Sequence, residues 1–145
     1  MTTLADLKNQ QGEIREMTTA LLNLLTAEQQ AVGTIAQVTH TLLCDLCEKV
    51  NQHLAEEHKG VFPELLSHGD QSVQNMVWGF INNDKPLQVE FKDYQHKWLR
   101  NCEYAVSTDF IRETKQILES LEERMQLEDS KMMPKLEAAG MFATA

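Results

Sequence analysis

Aromatic residues make up only 6% of this 145-residue chain, which also carries just three prolines, six glycines and three cysteines. With aromatics scarce and Leu, Met, Ala, Glu, Gln and Lys abundant, the composition favours helix over sheet. The odd cysteine count argues against a disulfide scaffold, and Cys44, Cys47 and Cys102 all fall inside helical patterns. Cys44 and Cys47 form a C-x-x-C, but it lies mid-helix in THTLLCDLCEKV, away from the helix N-terminus where a redox thiolate is stabilised. Both therefore read as small core or flank residues. No apolar run reaches the length of a membrane span, and MTTLADLKNQ lacks the basic-then-apolar opening of a signal peptide, so a cytoplasmic protein is expected. Cationic residues are scarce too: 13 Lys and Arg against 22 Asp and Glu leave a formal charge of −9. That balance disfavours nucleic acid and anionic membranes as partners, and suits a basic protein surface or a cation.

What is present is periodicity. At 42% hydrophobic, residues 1–145 read as one helical domain able to bury a sizeable core. A first helix opens on a Thr3/Asp6 capping box, and its seam runs Leu4, Leu7, Gln11, Ile14, Thr18, Leu21, Leu25. A loop over 28–33 leads to a second helix opened by Thr34 and Gln37, with Thr39, Leu43, Leu46, Val50, His53, Glu57 and Val61 along one side. Pro63 bends its last turns, and Gly69 ends it. Asp70 caps a third helix with Val73, Val77, Phe80, Asp84, Leu87, Phe91, Tyr94 and Trp98 inward, and Pro86 predicts a kink or short break near 82–86. Ser107 or Thr108 opens the fourth, whose seam is Ile117, Leu121, Arg124, Glu128 and Met132, and Gly140 closes it. Short connections make successive helices antiparallel, so the predicted fold is an all-α, up-down-up-down four-helix bundle.

Polar residues interrupt these seams at matching heights. His53, Glu57 and Pro63 repeat the spacing of Arg124, Glu128 and Pro134. At a rise of ~1.5 Å per residue, Gln11, His53, Asp84 and Glu128 lie roughly 12–21 Å from the ends of their helices. Antiparallel packing brings Gln11, His53, Glu57, Asp84, Arg124 and Glu128 to one inner layer. Buried carboxylates must be paired or metal-bound. Three carboxylates, an imidazole and an amide oxygen suit iron, manganese or zinc. Alternatively, Arg124 acts as counter-ion in a metal-free network completed by His53 and Gln11. His40, His58, His68 and His96 lie off the layer by spacing.

The residues LKNQQGEI, HLAEEHKGVFPELL, LLSHGDQSV and LEERMQLEDSKMMPKLE resemble the hemerythrin-like (HHE cation-binding) domain family over nearly the whole chain. The resemblance implies a four-helix bundle with a non-heme, usually two-iron centre that binds oxygen or senses oxygen, iron or nitrosative stress. It makes His53, Glu57 and Glu128 metal ligands and places Asp84 near a third-helix ligand. Gln11 and Arg124 stand where the family has histidines, which implies a degenerate site that binds or senses rather than catalyses. A second resemblance, carried by FIRETKQ leading into LEERMQLED and by LCEKVNQHL, is to the Rsd/AlgQ regulators, which sequester a sigma factor through a related bundle without iron.

Overall fold

Thr3 opens the first helix as its capping box requires: its hydroxyl accepts from the Asp6 N–H at 3.1 Å, and the Asp6 carboxylate accepts from the Thr3 N–H at 2.9 Å. The structure, a computed structural model, describes residues 2–100 and 107–142. Cys102 lies outside the described residues. Those described are helical throughout their regular structure. The order is α1 (Leu4–Leu24), α2 (Ala27–Gln30), α3 (Gly33–Glu56), α4 (Phe62–His68), α5 (Gln71–Tyr94), α6 (Thr108–Leu127) and α7 (Met133–Ala139). Three π-helical turns, Glu57–Val61, Gln95–Leu99 and Glu128–Met132, extend α3, α5 and α6.

The boundaries follow local chemistry, with three departures from expectation. The segment 28–33 is not simply a loop, because the Thr26 side chain accepts from the Gln29 N–H and starts the short α2. Gln30, buried there, ties α2 to Leu24 and Thr39 through its amide. Thr34 does not cap α3; Val32 takes that position without a side-chain hydrogen bond. Nor does Pro86 break α5, which runs through it from Gln71 to Tyr94. Pro86 is exposed, so water can satisfy the carbonyl its missing N–H leaves free. The remaining caps hold. Asp70 accepts from the Val73 N–H, Ser107 from the Phe110 N–H, and Gly140 adopts the left-handed conformation at φ 64°.

The apolar seams bury themselves in two clusters rather than one. Ile14, Leu21, Leu43, Val50, Phe91, Leu121 and Met125 belong to the first. Leu7, Val61, Phe62, Leu65, Phe80, Met132 and Leu136 belong to the second. Along α1, α3, α5 and α6 the sequence crosses from one cluster to the other at Gln11, His53–Glu57, Asp84 and Arg124–Glu128. The polar residues thus form a layer between two oily ends. α1 packs against α3 and α6, and α5 against α6, while α3 meets α5 through the π-helical turn Gln95–Leu99.

Candidate metal centre

α3 delivers His53 and, one turn on, Glu57 at the head of a π-helical turn; α6 delivers Arg124 and Glu128 in the same way; α5 delivers Asp84. The two prolines explain the repeated widening. A proline ring crowds the carbonyl four residues back and offers no N–H, and a turn with one extra residue relieves both problems. Just before Pro63 the Phe62 N–H reaches back five residues to the Glu57 carbonyl, and just before Pro134 the Met133 N–H reaches the Glu128 carbonyl. Each carboxylate therefore sits where its helix widens, and each is 0% exposed, as are His53 and Asp84.

The contacts are close. His53 Nε2 lies 2.9 Å from Glu128 Oε1 and 3.1 Å from Glu57 Oε1. One ligand atom from each of His53, Glu57 and Glu128 falls within 4.8 Å of the others. Arg124 fills the adjoining space. Its Nε and Nη2 donate to Asp84 at 2.6 and 3.0 Å, its Nη1 to Glu128 at 2.7 Å, and its Nη2 to Glu57 at 3.4 Å. The Phe80 ring lies 4.5 Å from the guanidinium carbon and stacks on its face.

Burial and mutual repulsion shape the protonation of this layer. Burial, with the Glu128 charge behind it, pushes the Glu57 carboxyl from 4.5 up to about 8, against the pull of Arg124 and His53. Burial alone would lower His53, but its hydrogen bond to Glu128 and the charges of Glu57 and Glu128 raise it above 6.5. For Asp84, burial is outweighed by hydrogen bonds from His58 and Arg124, which hold it below 3.8. Burial opposes the Arg124 charge, yet Glu57, Asp84 and Glu128 hold the guanidinium firmly protonated. Three carboxylates thus share Arg124 and His53, and burial first, then the Glu128 charge, favours the neutral form of Glu57.

The family model of the hemerythrin HHE cation binding domain matches residues 2–136. The chain belongs to that family. Among curated proteins and among solved structures nothing matches it.

The HHE domain's residues fit one cation. The 2.9 and 3.1 Å spacings between His53 and the two glutamates suit neighbouring donors around a metal with bonds of ~2.0–2.2 Å. An imidazole and two carboxylates suit a divalent transition metal. They do not fit a second cation beside the first, because the Arg124 guanidinium occupies the space among Glu57, Asp84 and Glu128. Gln11, expected to offer an amide oxygen, is buried but turns its amide nitrogen onto the Met125 carbonyl at 2.8 Å, bracing α1 against α6. Gln10, one position off the seam, reaches His53 instead: its Oε1 lies 2.7 Å from Nδ1. His58, expected off the layer, places Nε2 2.8 Å from Asp84 Oδ2. The signal for His58 was Pro63, since the widened turn advances less per residue and keeps His58 near the side facing α5. For Gln10 the QQ pair was the only hint, offering one amide to the seam and the next to its flank. The other histidines stay outside the layer: His96 accepts from Arg100, His68 pairs with Glu64, and His40 Nδ1 lies 3.8 Å from Cys44 Sγ.

Proposed function

We propose that this HHE domain binds one divalent metal ion, iron, through His53 Nε2, Glu57 and Glu128, and senses metal, oxygen or redox state without catalysing turnover. The observation that carries the reading is the convergence of three fully buried ligand atoms within 4.8 Å. Charge supports it as well. A divalent cation replacing the His53 and Glu57 protons brings three carboxylates and Arg124 to neutrality, so the metal answers the layer's own imbalance. Arg124 then stands permanently where a second cation would otherwise be needed. Iron bound by only three protein groups would supply a one-electron couple and open positions for a small ligand. The four long helices, α1, α3, α5 and α6, we read as an up-down-up-down bundle that holds this layer rigid, in a cytosolic protein. Cys47 does not suit a reductase: burial and then Cys44 push its thiol up to about 12, far from a reactive thiolate.

A metal-free reading draws on Arg124, which already pairs with all three carboxylates. In that case the chain is an interaction module of the Rsd/AlgQ type for a basic protein partner. Anaerobic loading with Fe(II), followed by desalting and elemental analysis, separates the two. One equivalent of iron in the wild type, lost in His53→Ala, supports the metal site. No retained iron, manganese or zinc in the wild type overturns it in favour of the metal-free module.

A further inference from the structure

The polar contact that His53 makes away from the carboxylates is directional. Gln10 Oε1 lies 2.7 Å from His53 Nδ1, while Gln10 Nε2 donates to Glu56 Oε2 at 2.6 Å. An amide has one donor end and one acceptor end. The Glu56 carboxylate can only accept, so it fixes which end of Gln10 faces it. The oxygen must then face His53, and an oxygen there requires that Nδ1 carry its proton. Nε2–H donates to the Glu57 and Glu128 carboxylates in the metal-free layer, so a cation entering there displaces that proton and takes the Nε2 lone pair while Nδ1 keeps its own.

We infer that Gln10 and Glu56 act together as a tautomer lock that prepares His53 to bind metal through Nε2. The inference rests on the metal-binding reading above and adds two positioning residues to it, neither of which touches the metal. The chain of contacts runs Glu56 to Gln10 to His53, from the half-buried flank of α3 across to α1 and back into the layer. Gln52 approaches the other Glu56 oxygen at 3.5 Å. A small chamber of about 140 Å³, lined by Gln10, Glu13, Ile14, Lys49, Gln52 and His53, adjoins this side of the ring. Without the lock, the imidazole could present N–H to the carboxylates and its lone pair to that chamber, the wrong arrangement for a cation in the layer.

Three variants test the lock on the full chain. Gln10→Leu removes the acceptor, and metal affinity, measured by competition with a chelator of known affinity for Zn(II), is expected to fall roughly 10- to 100-fold. Glu56→Gln frees the Gln10 amide to flip, and affinity should fall several-fold although Glu56 never touches the metal. The double change Gln10→Glu with Glu56→Gln reverses donor and acceptor along the chain yet keeps an oxygen on Nδ1, so affinity should return to the wild-type level or better. A merely structural role would show no such rescue. The second readout needs no metal: ¹⁵N NMR of the metal-free protein should show a hydrogen-bonded, slowly exchanging Nδ1–H on His53 in the wild type, and Gln10→Leu should lose it. Unchanged affinity in both single variants, or a wild-type His53 ring without Nδ1–H, overturns the lock. If the wild type binds no metal, the metal reading fails by itself, and the NMR result still decides the lock.

Discussion

Arg124 is the residue on which the metal-free layer depends. It is almost fully buried and pairs with Asp84, Glu57 and Glu128, so removing it leaves three carboxylates with only His53 and the His58–Asp84 contact to offset them. Arg124→Met, similar in reach and content to float over Phe80, should destabilise the metal-free domain by roughly 3–5 kcal/mol in urea or thermal denaturation. A loss below about 0.5 kcal/mol would mean that the guanidinium is not the counter-ion. The same variant opens the adjoining space, so its stability should recover on adding a divalent metal by more than the wild type gains. At this scale His53, Glu57, Asp84, Arg124 and Glu128 were legible in the sequence because each sits on a seam position, where an ionisable residue has to be explained. Gln10 and His58 were not, because each reaches the layer from a flank: one along a long amide side chain, the other through a change of helical pitch that periodicity does not record.

Among the elements, the α4–α5 reversal leaves no room for a side chain at Gly69. The Gly69 N–H closes α4 onto the Leu65 carbonyl at 2.8 Å, and Asp70 immediately caps α5. A methyl group on Gly69 would lie 2.5 Å from that carbonyl oxygen and 2.6 Å from Val73 Cγ1. One of those contacts is backbone, so a rotamer change cannot relieve it. Gly69→Ala should therefore cost about 1–3 kcal/mol in chemical denaturation, while Gly60→Ala, helical and with open space around it, should be neutral or stabilise by up to about 1 kcal/mol. An equal effect of the two would show that the reversal tolerates a side chain. Helix ends set by side-chain chemistry, at Thr3, Asp70, Ser107 and Gly140, were readable from the sequence. Those set by packing were not. α3 starts at Gly33 with no side-chain cap, and α5 passes through Pro86 because its neighbours hold it helical on both sides.

For the molecule as a whole, the layer ties stability to pH and to metal in opposite directions. Glu57 is raised in the fold from 4.5 to about 8, so the unfolded chain ionises it first. Its contribution favours the fold at pH below 4.5 and is progressively lost as pH climbs toward 8. His53, raised above 6.5, acts in the same direction: the folded imidazolium contributes at low pH and loses that contribution as pH passes its folded value. Asp84, lowered below 3.8, sets the acid limit, since its contribution disappears as pH falls through its folded value. The metal-free domain should then be most stable near pH 4–5 and weaken steadily to about pH 8. Metal reverses the trend, because it takes the places of the His53 and Glu57 protons and binds more tightly as those protons leave. Added stability grows as RT ln(1 + [L]/Kd), so loaded and metal-free melting temperatures should nearly coincide at pH 5 and diverge toward pH 8. Thermal denaturation from pH 4 to 9, in a chelator and in excess Zn(II), measures both curves. A metal-free melting temperature that rises between pH 5 and 8 would mean that the layer holds no proton awaiting replacement. Parallel curves would mean that whatever metal binds does so elsewhere.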